Sequence, residues 1–233
     1  MRRLAAAGLA AAALAGCGST HTGGSATLWI TRDRGAHLIL QRQVPAGLTA
    51  MQALDRVADI KTRYAGRFVQ SIDGLEGSLS GRRDWFYFIN GYEADRSAAE
   101  YRLRTGDVEW SDFRSWRTQL RQPVVVGAFP EPFRHGFDGR RLPAWVVYEV
   151  PQQRGVAQRV ARLIGGRATS SRSVLQRHDV NVLLLLGPSQ FKQPTFLATG
   201  SRAGGPVLFT FGGDAELLLA KVPFGRFRYE AEH

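Results

Sequence analysis

The chain contains one cysteine, Cys17, so no disulfide can form within it and its fold must be held by packed side chains. Its 233 residues are 44% hydrophobic and 22% charged, the balance of a globular chain with length for one or two cores. The place of that cysteine also matters. Arg2 and Arg3 open the sequence, residues 4–14 form an apolar run, and Leu14-Ala15-Gly16-Cys17 closes it. A basic start, a short apolar segment and a small-residue cleavage site are the parts of a secretory signal. A membrane-spanning helix needs about 20 apolar residues, and polar Ser19, Thr20 and His21 end this run early.

Leu14-Ala15-Gly16-Cys17 resembles the lipobox of bacterial lipoproteins. The resemblance implies that residues 1–16 are a lipoprotein signal peptide and that Cys17 becomes a lipidated N-terminus carrying acyl chains such as palmitate. Each buried methylene then adds about 0.8 kcal/mol of membrane affinity. Residues 17–25, rich in Gly, Ser and Thr, read as a flexible tether. The expected location is the outer face of the cell membrane, extracytoplasmic and lipid-anchored. The formal net charge of +11 favours anionic surfaces. An exported chain meets phospholipid head groups and anionic wall polymers, and no nucleic-acid partner is expected. The arginines are scattered along the chain, so charge alone assigns no partner.

Residues 26–31 and 37–44 alternate around Asp33-Arg34-Gly35 and read as a hairpin. Thr49-Ala50-Met51-Gln52 has the form of a capping box, predicting a helix over residues 50–60 with Met51, Leu54, Val57 and Ala58 on one face. Strands are predicted over 67–72, 85–89 and 107–113, beside the turn pairs Asp73-Gly74, Asn90-Gly91 and Thr105-Gly106. The expected fold class is α+β. Residues 26–116 form a four- or five-stranded sheet on one helix, residues 117–123 a linker, and residues 124–233 a small α/β domain. In that second part, strands are expected at 145–150, 180–186, 195–199, 207–211 and 226–229, and helices at 156–164 and 215–221. The mixture of proline, aromatic and charged residues over 129–139 reads as a rigid connector, with closure of a cleft as the alternative.

Four ordered blocks carry a family resemblance. They are Ala46-Gly47-Leu48-Thr49-Ala50-Met51-Gln52-Ala53-Leu54, Val69-Gln70-Ser71-Ile72-Asp73-Gly74-Leu75, Asp84-Trp85-Phe86-Tyr87-Phe88-Ile89-Asn90-Gly91 and Gly106-Asp107-Val108-Glu109-Trp110. Together they resemble the β-grasp domain at the C-terminus of transcobalamin and intrinsic factor, which also occurs in bacterial lipoproteins of uncharacterised function. The resemblance spans residues 26–116 and implies a β-grasp fold. It also implies a cobalamin or other corrinoid ligand and a role as an accessory to uptake beside a membrane transporter. No cofactor is required by this reading.

On the predicted strand 85–89, Trp85 and Tyr87 share one face and Phe86 and Phe88 the other. Purely apolar Phe86 and Phe88 are the better core set. Trp85 and Tyr87 then look outward and, with Tyr92, Trp110, Phe113 and Trp116, make a candidate aromatic ligand platform. Ordinary core packing is the alternative. His37, His135 and His178 are isolated, with no zinc spacing and no serine-hydrolase elbow. A non-enzymatic small-molecule binder is therefore expected. Its rivals are an envelope protein that docks a transporter or wall polymer without a small ligand, and a hydrolase hidden in the second half.

Overall fold

The computed structural model describes residues 23–231; Cys17 and the predicted signal peptide lie outside them. The chain is α+β, built on two five-stranded sheets and a small three-stranded one. The first half supplies β1 (Ser25–Arg32), β2 (His37–Pro45), α1 (Ala50–Asp55), β3 (Ile60–Arg63), β4 (Phe68–Ile72), β5 (Leu75–Glu76), β6 (Arg83–Ile89), β7 (Tyr92–Glu93) and β8 (Val108–Ser115). The first sheet has the order β2-β1-β8-β6-β7. β1 runs antiparallel to β2 and parallel to β8, so the last strand of this half pairs with the first. Strands β3, β4 and β5 form the small sheet.

The capping box is present: the Thr49 hydroxyl accepts from Gln52 N–H and the Gln52 side chain accepts from Thr49 N–H. Thr49→Ala should cost about 1 kcal/mol, read as a lowered urea midpoint; an unchanged midpoint would mean that the cap contributes nothing. The helix is shorter than predicted, ending at Asp55. Asp73 takes hold of the next segment: its carboxylate accepts from Asp59 N–H and its own N–H donates to Asp59 C=O. Ile60–Arg63 is thereby drawn into a strand that was not predicted, and only its first residue, Ile60, fell within the predicted helix.

The second half supplies β9 (Ala144–Tyr148), α2 (Arg154–Leu163), β10 (Arg167–Thr169), β11 (Asn181–Leu186), β12 (Thr195–Gly200) and β13 (Val207–Gly212). Their order is β10-β9-β11-β13-β12, parallel except for β12. Val182, Leu183, Leu184 and Leu185 are all buried, as expected of a strand covered on both faces. The predicted helix 215–221 is a single 3-10 turn, Ala215–Leu218.

Residues 129–139 do not act as a mere connector. Phe129, Phe133 and Phe137 are buried, and Phe133 lies 5.0 Å from Phe209 of β13. One apolar cluster therefore runs from Leu54 of α1 through these phenylalanines to Val160 of α2. The predicted strand 226–229 is also corrected. Phe227 has φ 63°, which no strand accommodates, and the segment instead crosses between the sheets. Tyr229 C=O accepts from Val126 N–H, while Ala231 bridges Phe196 of β12. Close approach here demands glycine: a Cβ on Gly127 would lie 2.4 Å from Arg228 O.

Candidate functional site

Strand β6 has one face toward α1 and the other toward the C-terminal segment. Trp85, Tyr87 and Ile89 belong to the α1 side, and Phe86 and Phe88 to the opposite side. The assignment expected from the sequence is thus reversed with respect to the helix: Trp85 and Tyr87, expected to look outward, face α1, while Phe86 and Phe88, expected to pack on the helix, are covered by Phe227 and Tyr229. Phe88 is buried with its ring 5.1 Å from Tyr229.

The six predicted platform residues do not form one surface. Trp85 and Tyr87 line a cleft of about 420 Å³ between β6, α1 and the β3–β4 hairpin. Trp85 is 7% exposed and its indole N–H donates to Leu75 C=O at 2.9 Å. Phe113 packs behind it at 5.2 Å. Tyr92 is buried between the sheets, donating to Gly205 C=O at 2.7 Å. Trp110 is fully buried on the far face and donates to Thr31 Oγ1 at 2.7 Å. Trp116 is half-buried beyond the end of β8, away from the cleft lining.

The sequence reading missed the other wall. Tyr64 and Phe68, at the hairpin tip, face each other at 6.3 Å and are 77% and 38% exposed. Tyr64 has φ 51°, in the left-handed region that costs a non-glycine residue about 1–2 kcal/mol. An exposed aromatic side chain on such a backbone is not explained by core packing. The one available signal was the Tyr64-Ala65-Gly66 turn between Arg63 and Arg67.

Arg67 and Arg96 complete the cleft. Arg67 is paired with Glu100, and the Tyr87 hydroxyl donates to the Arg96 carbonyl. The Arg96 guanidinium is clamped by Asp95 at 2.8 Å and Asp138 at 3.2 Å, and lies 5.7 Å from the Phe137 ring centroid. Hydrogen bonding from Arg104, then Arg96, holds the Asp138 carboxyl below its ordinary range. The hydrogen bond to Glu131, 2.6 Å away, raises the affinity of His135 for a proton. Among the described residues no three His, Cys, Asp or Glu side chains gather as metal ligands.

Residues 47–113 match the family model of a domain of unknown function (DUF4430). No curated protein matches the sequence. Among solved structures, a candidate metal binding protein from Ruminococcus gnavus is similar at 15% identity and a TM-score of 0.33, over 40% of this chain and 97% of that one. Haptocorrin in complex with Cbi is similar at 16% identity and a TM-score of 0.34, over 40% of this chain. The present chain spans 25% of the haptocorrin chain.

Proposed function

We propose that this is an extracytoplasmic lipoprotein, anchored through Cys17, that holds a small molecule in the Trp85–Tyr87 cleft without chemically changing it. The observation that carries the reading is the cleft itself. It is apolar, walled by aromatic side chains from two elements, and within the roughly 300–1,000 Å³ usual for small-molecule sites. The strained, exposed Tyr64 at its mouth supports a role outside packing. The order β2-β1-β8-β6 with α1 on one face supports reading residues 26–116 as a β-grasp domain. A corrinoid is the first ligand to try, on the four sequence blocks that resemble the transcobalamin domain. It is too large to be enclosed here and would lay one edge in the cleft.

The test is a titration of a soluble form beginning at Gly18 with cobalamin and cobinamide, followed by tryptophan quenching and calorimetry. Saturable binding, weakened about tenfold or more by Tyr64→Ala/Phe68→Ala, is the expected result. Both rings stand at the surface, so the variant keeps its core. Absence of heat and quenching at high micromolar ligand would remove corrinoids.

One observation favours the rival reading of an envelope interaction protein. β2 forms the outer edge of the first sheet, and its Leu38 and Ile39 are about half exposed. An open edge of this kind accepts a strand from a partner.

A further inference from the structure

A second recess shares Arg96 with the cleft and lies among the loops that hold residues 95–96, 137–142, 178 and 202–206. It has a volume of about 310 Å³, and its walls include Arg96, Phe137, Arg140, His178 and Arg202. Arg96 lines both cavities, so the two meet at this residue. Their chemistry differs sharply. The cleft is walled by Tyr64, Phe68, Trp85 and Tyr87, whereas three arginines and a histidine face the recess.

The charges of the recess are unevenly satisfied. Arg96 is held by both Asp95 and Asp138, the two carboxylates in the recess wall. Arg140 and Arg202 make no side-chain hydrogen bond, ion pair or ring contact among the described residues. Each comes from a different part of the chain. Arg140 closes the bridge with Phe137, and Arg202 belongs to the turn between β12 and β13. Both arginines line the one recess without a protein partner, and an anionic oxygen group bound there would give each a charge-assisted hydrogen bond that neither makes within the protein.

We propose that the two cavities form one site for a small amphipathic anion: a flat apolar body in the aromatic cleft, and a carboxylate, sulfonate or phosphate between Arg140 and Arg202. This rests on the reading of the cleft as a ligand site and adds the class of molecule it takes. Arg96, neutralised by its two aspartates, serves as the partition, with its backbone carbonyl tied to Tyr87 and its guanidinium against Phe137. Selectivity then comes from the recess, because a neutral body of the same shape leaves Arg140 and Arg202 unpaired. The second half of the chain contributes Arg202 and His178, which gives it a part in binding.

The experiment compares two dyes of matched aromatic body on the soluble form: anionic anilinonaphthalene sulfonate and neutral phenylnaphthylamine. Three proteins are used, namely the parent, Arg140→Ala/Arg202→Ala, and Arg42→Ala/Arg154→Ala as a control that removes equal charge elsewhere. Near-UV circular dichroism confirms that each remains packed. The anionic dye is expected to bind the parent at least about tenfold more tightly than the neutral one. The recess variant should lose that preference and the control should keep it. Equal affinity for both dyes, unchanged in the recess variant, would overturn the anion site while leaving the cleft as a ligand site. Saturable binding of neither dye would overturn both. Displacement of the dye by naphthoate in preference to laurate is expected; the reverse order would replace the ring with an acyl chain and overturn the flat body.

Discussion

Tyr229→Ala will lower the free energy of unfolding by about 3–5 kcal/mol, the range for removing a large buried aromatic group. The ring is 2% exposed and packs against Phe88 at 5.1 Å and Trp110 at 5.6 Å. Its hydroxyl donates to Asp112 at 2.9 Å. That carboxylate also accepts from Thr31 Oγ1 and from the backbone of Arg34 and Gly35. Tyr229→Phe keeps the rings and removes one donor from a buried acceptor, so it should cost about 1–3 kcal/mol. Urea unfolding monitored by fluorescence reads both. A domain of this kind has about 5–15 kcal/mol in all, so the alanine variant would stand close to the threshold of folding. An alanine variant within about 1 kcal/mol of the parent would mean that the C-terminal segment does not seal the sheet. The cleft lies on the other face of β6, so the phenylalanine variant should bind ligand unchanged.

Glu109→Leu should stabilise the protein, and increasingly so as the pH rises. Glu109 is fully buried on the α1 face of β8, in register with Leu28 and Ile89, and neither carboxyl oxygen has a hydrogen-bond partner among the described residues. Burial raises its affinity for a proton well above the ordinary value near 4.5. Below that value both the folded and unfolded chains are protonated here and no penalty arises. Above it the unfolded chain ionises while the folded one keeps its proton. Stability therefore falls by up to about 1.4 kcal/mol per pH unit until the folded carboxyl ionises. Burial also raises Asp107 and Asp112, adding slope of the same sign, so the comparison is between parent and variant at each pH. Denaturation at intervals from pH 5 to pH 8 should show the variant's advantage widening. Parallel curves would mean that Glu109 is hydrated or paired in the folded protein.

Local chemistry made much of the first sheet legible. Asp33-Arg34-Gly35, Asp73-Gly74 and Asn90-Gly91 all adopt positive φ, as their turn residues suggest, and the capping box starts α1 where expected. What failed depended on contacts distant in sequence. The helix stops short because Asp73 binds the backbone of Asp59, and nothing near residue 56 announces that. The faces of β6 were misassigned because the cover for Phe88 comes from Tyr229. An alternating strand shows that two faces differ, but not which neighbour arrives to bury each. The candidate site was half visible. Trp85 and Tyr87 stood out by type, whereas Tyr64 and Phe68 became wall residues only through the pairing of β4 with β3, a strand that was not predicted. Arg140 and Arg202 are two among 31 basic residues until the fold brings them to one recess.

The crossing of residues 227–231 between the sheets also sets the order in which this protein can assemble. Tyr229 reaches Asp112 across 117 positions, and Thr31 reaches the same carboxylate across 81. Closing a loop of the longer span costs about 4 kcal/mol of chain entropy before any contact repays it. Contacts of such sequence separation slow folding relative to that of helical proteins built on local contacts. In the folded protein Trp29, Phe88 and Trp110 share one cluster with Tyr229, so that face of the sheet lacks this cover until the C-terminal segment docks. Docking of the last residues thus removes from solvent an aromatic surface of the kind through which incompletely folded chains aggregate.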